Sequence, residues 1–323
     1  MQPVYLGESI MLKKSLTICV LSISLTLFSA ATVVSAEPAL TQPQSQPVAQ
    51  PKGDFQPPKE EELGTDEFSK VVRAGEEVFT NTQALHGKYV GNGLNCVNCH
   101  LDRGRLADSA PMWGAYVLYP AFRKKSNSVN SLTERIQGCF TYSMNGAAPP
   151  ADSDVIKNLE TYFFWLAKTA PVGVKLKGSG YAKLPTPTQK PDIARGTQVF
   201  NANCAICHGA TGQGTKQGNH YAFPPLWGKD SYNWGAGMHT LDNAAAFIKA
   251  NMPLGKPKSL TDQEAWDVAA FVNSHERPQD PRSSGDIKAT KAKYHDENCL
   301  YGTNVQGALL GAHADANPLK KKP

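Results

Sequence analysis

Cysteine is scarce in this chain, with seven in 323 residues. That is too few for a fold held together by disulfides. A large excess of one charge is also missing: 33 Lys and Arg stand against 28 Asp and Glu, a formal net charge of +5. The basic residues form no run longer than three, as at Arg123-Lys124-Lys125 and at Lys320, Lys321 and Lys322. With neither a basic stripe nor a recognition motif, nucleic acid is not an expected partner. Long apolar runs are lacking too. The run from Leu16 to Phe28 has 13 residues, where a membrane-spanning helix needs about 20. What is present is 41% hydrophobic residues, enough for packed cores and against wholesale disorder. The length suits two domains.

The amino terminus reads as an export signal. Lys13 and Lys14 precede the apolar run, and Val34-Ser35-Ala36 has the small–x–small form of a signal-peptidase site. The expected signal is residues 1–36, with those before Met11 an upstream-start artefact; an uncleaved anchor is the competing reading. Cys19 follows bulky Ile18, which argues against a lipoprotein site. The mature protein is expected in the periplasm, with no stable membrane insertion after cleavage. Residues 37–63, rich in Pro and Gln, read as an extended tether.

Beyond the tether the chain repeats itself. Arg73-Ala74-Gly75-Glu76-Glu77-Val78-Phe79 is echoed by Ala194-Arg195-Gly196-Thr197-Gln198-Val199-Phe200. Cys96-Val97-Asn98-Cys99-His100 recurs as Cys204-Ala205-Ile206-Cys207-His208, and Pro111-Met112-Trp113-Gly114 as Pro225-Leu226-Trp227-Gly228. An aromatic helix from Leu159 to Ala167 matches Val268 to His275. Four landmarks in one order make chance a poor explanation. Phe68, Val71, Val72, Gly75 and Phe79 have helical spacing, as do Leu241 to Ala250 and Asp262 to Ser274. Thr261 with Glu264 forms a capping box. The expected class is therefore all-α, with repeated units at 64–170 and 192–280. Residues 171–191, with Pro, Gly and Lys but no periodicity, read as the linker, and 281–323 as a polar tail.

CxxCH is the attachment signal of a c-type haem: two thiols form thioethers and the histidine ligates iron. Zinc would need four ligands per site, and a thioredoxin-like site would need βαβ patterning; both are absent. Two covalently bound haem c groups are expected, on Cys96 and Cys99 with His100, and on Cys204 and Cys207 with His208. Each unit then resembles a class I cytochrome c.

The ligand opposite each histidine sets the haem's chemistry. In the second copy, Asn251-Met252-Pro253 resembles the Met-Pro segment of small cytochromes c, with Met238 as a competitor. Met252 lies 25 residues beyond Trp227. At nearly the same distance beyond Trp113, 26 residues, stands Cys139, whereas Met144 lies 31 beyond. Spacing favours Cys139 as the first haem's second ligand, with Met144 as the alternative. A thiolate stabilises ferric iron and offers a nucleophilic sulfur. Arg135, one helical turn before Cys139, together with Arg123 and Ser143, could hold an oxyanion.

At these residues the chain resembles the dihaem thiosulfate dehydrogenases of the cytochrome c family. The resemblance runs from about Thr65 to Pro278. It is carried by the two CxxCH motifs, Tyr119-Pro120-Ala121-Phe122-Arg123, Glu134-Arg135-Ile136-Gln137-Gly138-Cys139 with Ser143-Met144-Asn145-Gly146, and Asn251-Met252-Pro253-Leu254-Gly255. It implies that His100 and Cys139 ligate an active-site haem and that His208 and Met252 ligate an electron-transfer haem. Arg135 and Ser143 match positions near the family's substrate pocket. The implied reaction couples two thiosulfates to tetrathionate, with tetrathionate reduction as its reverse, and passes electrons to a small c-type cytochrome or a dihaem partner. Asn251 departs from members that carry Lys there, and Ala147 and Ala148 from members that are polar or basic. Two other classes remain open on sequence: a plain dihaem electron carrier, and a sulfurtransferase-like haem protein acting on a carrier-bound substrate.

Overall fold

In each repeat an opening helix crosses a closing helix at a glycine. In the computed structural model, which describes residues 54–218 and 220–319, α1 (Glu67–Thr80) starts where the Asp66 side chain accepts the Ser69 amide at 2.7 Å. It packs on α4 (Asp154–Leu166). Between them lie α2 (Met112–Leu118) and α3 (Leu132–Gly138). In the second copy α5 (Ile193–Asn203) packs on α7 (Asp262–Asn273), beside α6 (Leu241–Asn251). A Cβ at Gly75 would stand 2.0 Å from the Asn158 carbonyl oxygen, and one at Gly196 would stand 2.1 Å from that of Asp267. The repeated glycine is therefore the contact point of two backbones. The phenylalanine four residues on, Phe79 or Phe200, is buried beneath the crossing. Gly75→Ala is expected to force α1 and α4 apart and cost about 2 kcal/mol. A thermal melt unchanged from wild type would show that the crossing is not tight.

The all-α class expected from sequence holds. Strand among the described residues is confined to three two-stranded antiparallel hairpins: β1 (Ala121–Arg123) with β2 (Ser128–Asn130), β3 (Thr215–Gln217) with β4 (His220–Phe223), and β5 (Asn304–Val305) with β6 (Ala308–Leu309). The Thr261–Glu264 capping box forms as its spacing predicts. The closing helix of the first copy begins earlier than its aromatic run suggested, because Ser153 caps a polar first turn at Asp154. The export signal, its cleavage site and the tether up to residue 53 lie outside the described residues, as do Lys320 to Lys322.

Three segments that composition suggested were spacers carry packed residues. Within the tether, Phe55 packs its ring 5.2 Å from that of Trp113, and Glu60 ion-pairs with Arg103. Within 171–191, Val174, Leu176 and Ser179 are buried, and Tyr181 pairs its backbone with Ser109. The polar stretch after Pro278 forms α8 (Ile287–Tyr294) and the β5–β6 hairpin. It buries Cys299, Tyr301 and Leu310 against Trp234 of the second copy.

The two copies share structure as well as sequence. Tyr232 and Ala236 of the second belong to the core of the first. The buried Asn92 donates to the carbonyls of Ser143 (2.8 Å) and Ser231 (3.0 Å). The buried Asn233 donates to the Thr141 carbonyl (3.0 Å) and to Asn145 Oδ1 (3.1 Å). Each amide satisfies carbonyls that would be costly to bury alone. Together they pin the segment from Thr141 to Asn145 from both sides.

Candidate active site

That pinned segment ends an unusual helix. The Ser131–Glu134 capping box starts α3, with Glu134 N to Ser131 Oγ at 3.1 Å and Ser131 N to Glu134 Oε2 at 2.7 Å. At Cys139 the helix widens into one π-helical turn, Cys139–Ser143. Wide turns of this kind often occur at functional sites. The i, i+4 spacing lets Arg135 Nη1 donate to Cys139 Sγ at 2.8 Å. The same sulfur is the main reason that Arg135 holds its proton above the usual guanidinium range.

Cys96, Cys99, His100, Arg123, Arg135, Cys139 and Ser143 all line one cavity of about 350 Å³, and Met144 lines it too. His100 Nδ1 donates to the Ala110 carbonyl at 2.7 Å, which leaves Nε2 without that proton and able to ligate. Burial pushes the His100 pKa down to about 4, so the ring is neutral near pH 7. Burial also pushes the Cys96 thiol up to about 12 and Cys99 to about 11. The rest of the wall is largely apolar, including Leu94, Met112, Ile136, Leu159 and Phe163. Two thiols, a neutral imidazole with a fixed ring, greasy walls and a further sulfur are the donor set that a covalently attached haem requires.

The remaining predicted residues lie elsewhere. Cys204 caps a single helical turn after α5, Ala205–His208, which carries Cys207 and His208, and Met252 follows α6; all four are half-buried. His208 Nδ1 donates to the Pro224 carbonyl at 2.8 Å, and burial lowers its pKa. Ala110 and Pro224 each stand just before the repeated Pro-x-Trp-Gly landmark. That landmark therefore recurs partly because it carries the carbonyl that orients the CxxCH histidine.

Several lining residues had no role in the sequence reading. Tyr181 comes from the segment between the copies, and Tyr232 and Asn243 come from the second copy. Met238, which competes by sequence for the second iron, borders the first cavity instead. Tyr119 does have a local signal, since it opens the Tyr-Pro-Ala-Phe-Arg stretch, and Arg123 Nη1 donates to its hydroxyl.

The SoxA/TsdA cytochrome c domain model matches residues 75–172, and that of cytochrome c oxidase, cbb3-type, subunit III matches residues 191–272. The chain is 56% identical over 260 residues to the thiosulfate dehydrogenase of Stutzerimonas stutzeri (strain A1501), covering 80% of this chain and 85% of that one. It is 48% identical over 299 residues to the thiosulfate dehydrogenase of Thiomonas intermedia (strain K12), covering 92% and 95%. Among solved structures, thiosulfate dehydrogenase (TsdBA) from Marichromatium purpuratum matches with a TM-score of 0.78 at 46% identity. That match covers 81% of this chain and 58% of the other. Two cytochrome c domains, a cavity built around CxxCH and these relatives converge: the chain belongs to the thiosulfate dehydrogenases, enzymes of the cytochrome c type with covalently bound haem c.

Proposed function

We propose that the enzyme joins two thiosulfate dianions through a new sulfur–sulfur bond as tetrathionate, releasing two electrons, and that the reverse reduction uses the same groups. The observation that carries this reading is the 2.8 Å contact between Arg135 Nη1 and Cys139 Sγ inside the CxxCH cavity. Cys96 and Cys99, with His100 and Cys139 as iron ligands, would hold a haem c, which would supply a one-electron acceptor beside the substrate. Arg135 keeps positive charge at the Cys139 sulfur, where an incoming sulfur must arrive. Arg123, on the same wall, offsets the repulsion between two dianions, and a preorganised cation of this kind is worth more in a cavity than in water. Ser143 adds a neutral donor to a sulfonate oxygen. Side chains from both copies wall this cavity, which reduces the water around the charged substrates.

Cys204 and Cys207, with His208 and Met252 as iron ligands, would hold a second haem c, which would supply the exit for electrons toward an external c-type cytochrome or dihaem partner. The thioether of Met252 suits that role, since methionine ligation raises a haem's potential. A periplasmic location follows from the export signal. Among the described residues no helix is long and apolar enough to cross a membrane.

The test is an anaerobic single turnover with oxidised protein. One tetrathionate is expected per two thiosulfates consumed, with both haems reduced. In Met252→Gly the second haem's spectrum and electron delivery change, while thiosulfate still reduces the first. Reduction without tetrathionate overturns the reaction, and a Met252→Gly protein in which thiosulfate reduces neither haem overturns the division of roles.

A further inference from the structure

A second group of metal-ligating side chains lies outside the haem cavity, where the C-terminal segment meets the second copy. His239, His295 and Cys299 each offer a ligand atom, and these atoms lie within 4.8 Å of one another. His239 and Cys299 are buried, and the His295 side chain has no exposed surface. His239 from the second copy and the pair His295 and Cys299 from the C-terminal segment converge because that segment is tied down there. Leu241 N donates to the Asn298 carbonyl at 2.7 Å, and Thr240 and Cys299 form an antiparallel backbone bridge.

The surroundings of the two rings match those of metal ligands. His239 Nδ1 is occupied by the Ala236 carbonyl, which leaves Nε2 free. His295 Nδ1 lies 3.3 Å from Cys299 Sγ. Its Nε2, which makes no well-formed hydrogen bond, lies 3.2 Å from Asp280 Oδ2. Asp280 is itself buried and held by Arg282, with Nη2 to Oδ2 at 2.6 Å and Nε to Oδ1 at 3.0 Å. A carboxylate behind one histidine and a carbonyl behind the other is the outer arrangement that fixes the tautomer of ligating imidazoles. Ligands at 2.0–2.3 Å from one ion sit roughly 3.8 Å apart, so the cluster needs only a small contraction.

We propose that His239, His295 and Cys299 bind a thiophilic d10 cation, copper(I) or zinc, which staples the C-terminal segment to the second copy. Binding replaces the Cys299 thiol proton, which leaves to solvent. One thiolate and two imidazoles suit soft cations and not calcium or magnesium. Arg282 already neutralises Asp280, so a single thiolate charge remains; this balance ranks copper(I) ahead of zinc. Among the described residues the cluster has three protein ligands and no fourth, which points the same way, because a structural zinc site is four-coordinate. His295 and Cys299 also border an open groove lined by residues of both charges, Asp242, Asp296 and Glu297 with Lys190, Lys288 and Lys291, so the site is reached from solvent.

The experiment uses the haem-loaded full chain, freed of adventitious metal. It is titrated in one arm with zinc and in another, anaerobically, with copper(I) against a chromophoric chelator. Bound metal is counted against haem iron. One equivalent of copper or zinc per chain is expected, with a rise in thermal stability, and the arms show which ion is held. Cys299→Ser and His295→Gln should each weaken binding by tenfold or more, and Asp280→Asn should weaken it to a lesser degree. Cys139→Met should bind as wild type does, which separates this site from the haem cavity. The wild-type titration decides the matter even if Cys299→Ser fails to fold. Absence of stoichiometric binding in both arms, or binding that survives Cys299→Ser or disappears with Cys139→Met, overturns the site.

Discussion

Cys139→Met is expected to leave a folded protein with its haems attached, a raised potential at the first haem, and almost no tetrathionate formation. Methionine supplies another sulfur that can ligate iron, although that sulfur stands one carbon further from the backbone. The first haem's potential rises because a thioether donates less charge to ferric iron than a thiolate does. What is lost is the anionic sulfur paired with Arg135. A fall of about 10³-fold in turnover corresponds to about 4 kcal/mol of transition-state stabilisation. Cys299→Ser, the control for thiol loss, should turn over close to the wild-type rate. The measurements are a redox titration of each haem and tetrathionate yield. Near-normal turnover in Cys139→Met would mean that the sulfur is not part of the chemistry. Met144, which lines the same cavity and is buried, would then be the better axial ligand of a plain electron carrier.

Arg135→Gln is expected to lower kcat/KM by about 10²-fold, the usual cost of removing one preorganised donor from a site of developing charge. Arg135→Lys should recover little of this loss. Lysine carries the charge, but it lacks the planar fork that can serve Cys139 Sγ and a substrate oxygen together. Because Arg135 touches the sulfur directly, the variant should also shift the first haem's absorption and potential before substrate is added. A purely structural role would lower stability and leave the potential where it was. Arg123→Gln, whose guanidinium rests on Tyr119, should act mainly on KM. If Arg135→Gln turns over within a few-fold of wild type, the cation at the sulfur is dispensable.

The repeated landmarks were legible in the sequence because each performs a local task twice. Gly75 and Gly196 let two backbones touch, and Ala110 and Pro224 hold a histidine ring from the edge of the Trp-Gly landmark. The Arg135–Cys139 pair was legible because helical spacing alone brings positions i and i+4 together. The walls of the cavity were not. Tyr181 sits in a stretch of Pro, Gly and Lys without periodicity, and it reaches the cavity because that stretch folds back along Ser109. Tyr232 and Met238 belong to the other repeat, so no local pattern could assign them to the first. The burial of Cys299 and Tyr301 was hidden for a similar reason. Their neighbours in sequence are polar, and the apolar partner that covers them is Trp234, far away in the chain.

Because Tyr232, Ala236, Gly237 and Met238 wall a cavity built around the CxxCH of the other repeat, the second repeat is not an interchangeable part. A half-molecule ending near Pro191 would have that cavity breached on one side. Grafting a foreign cytochrome behind that point would leave the same breach, however well its potential were matched. The asparagine amides that cross the seam work to the same end: Asn92 and Asn233 would each lose acceptors supplied by the opposite repeat. The duplication therefore no longer yields two separable modules, and any redesign of the second repeat must carry the cavity wall with it.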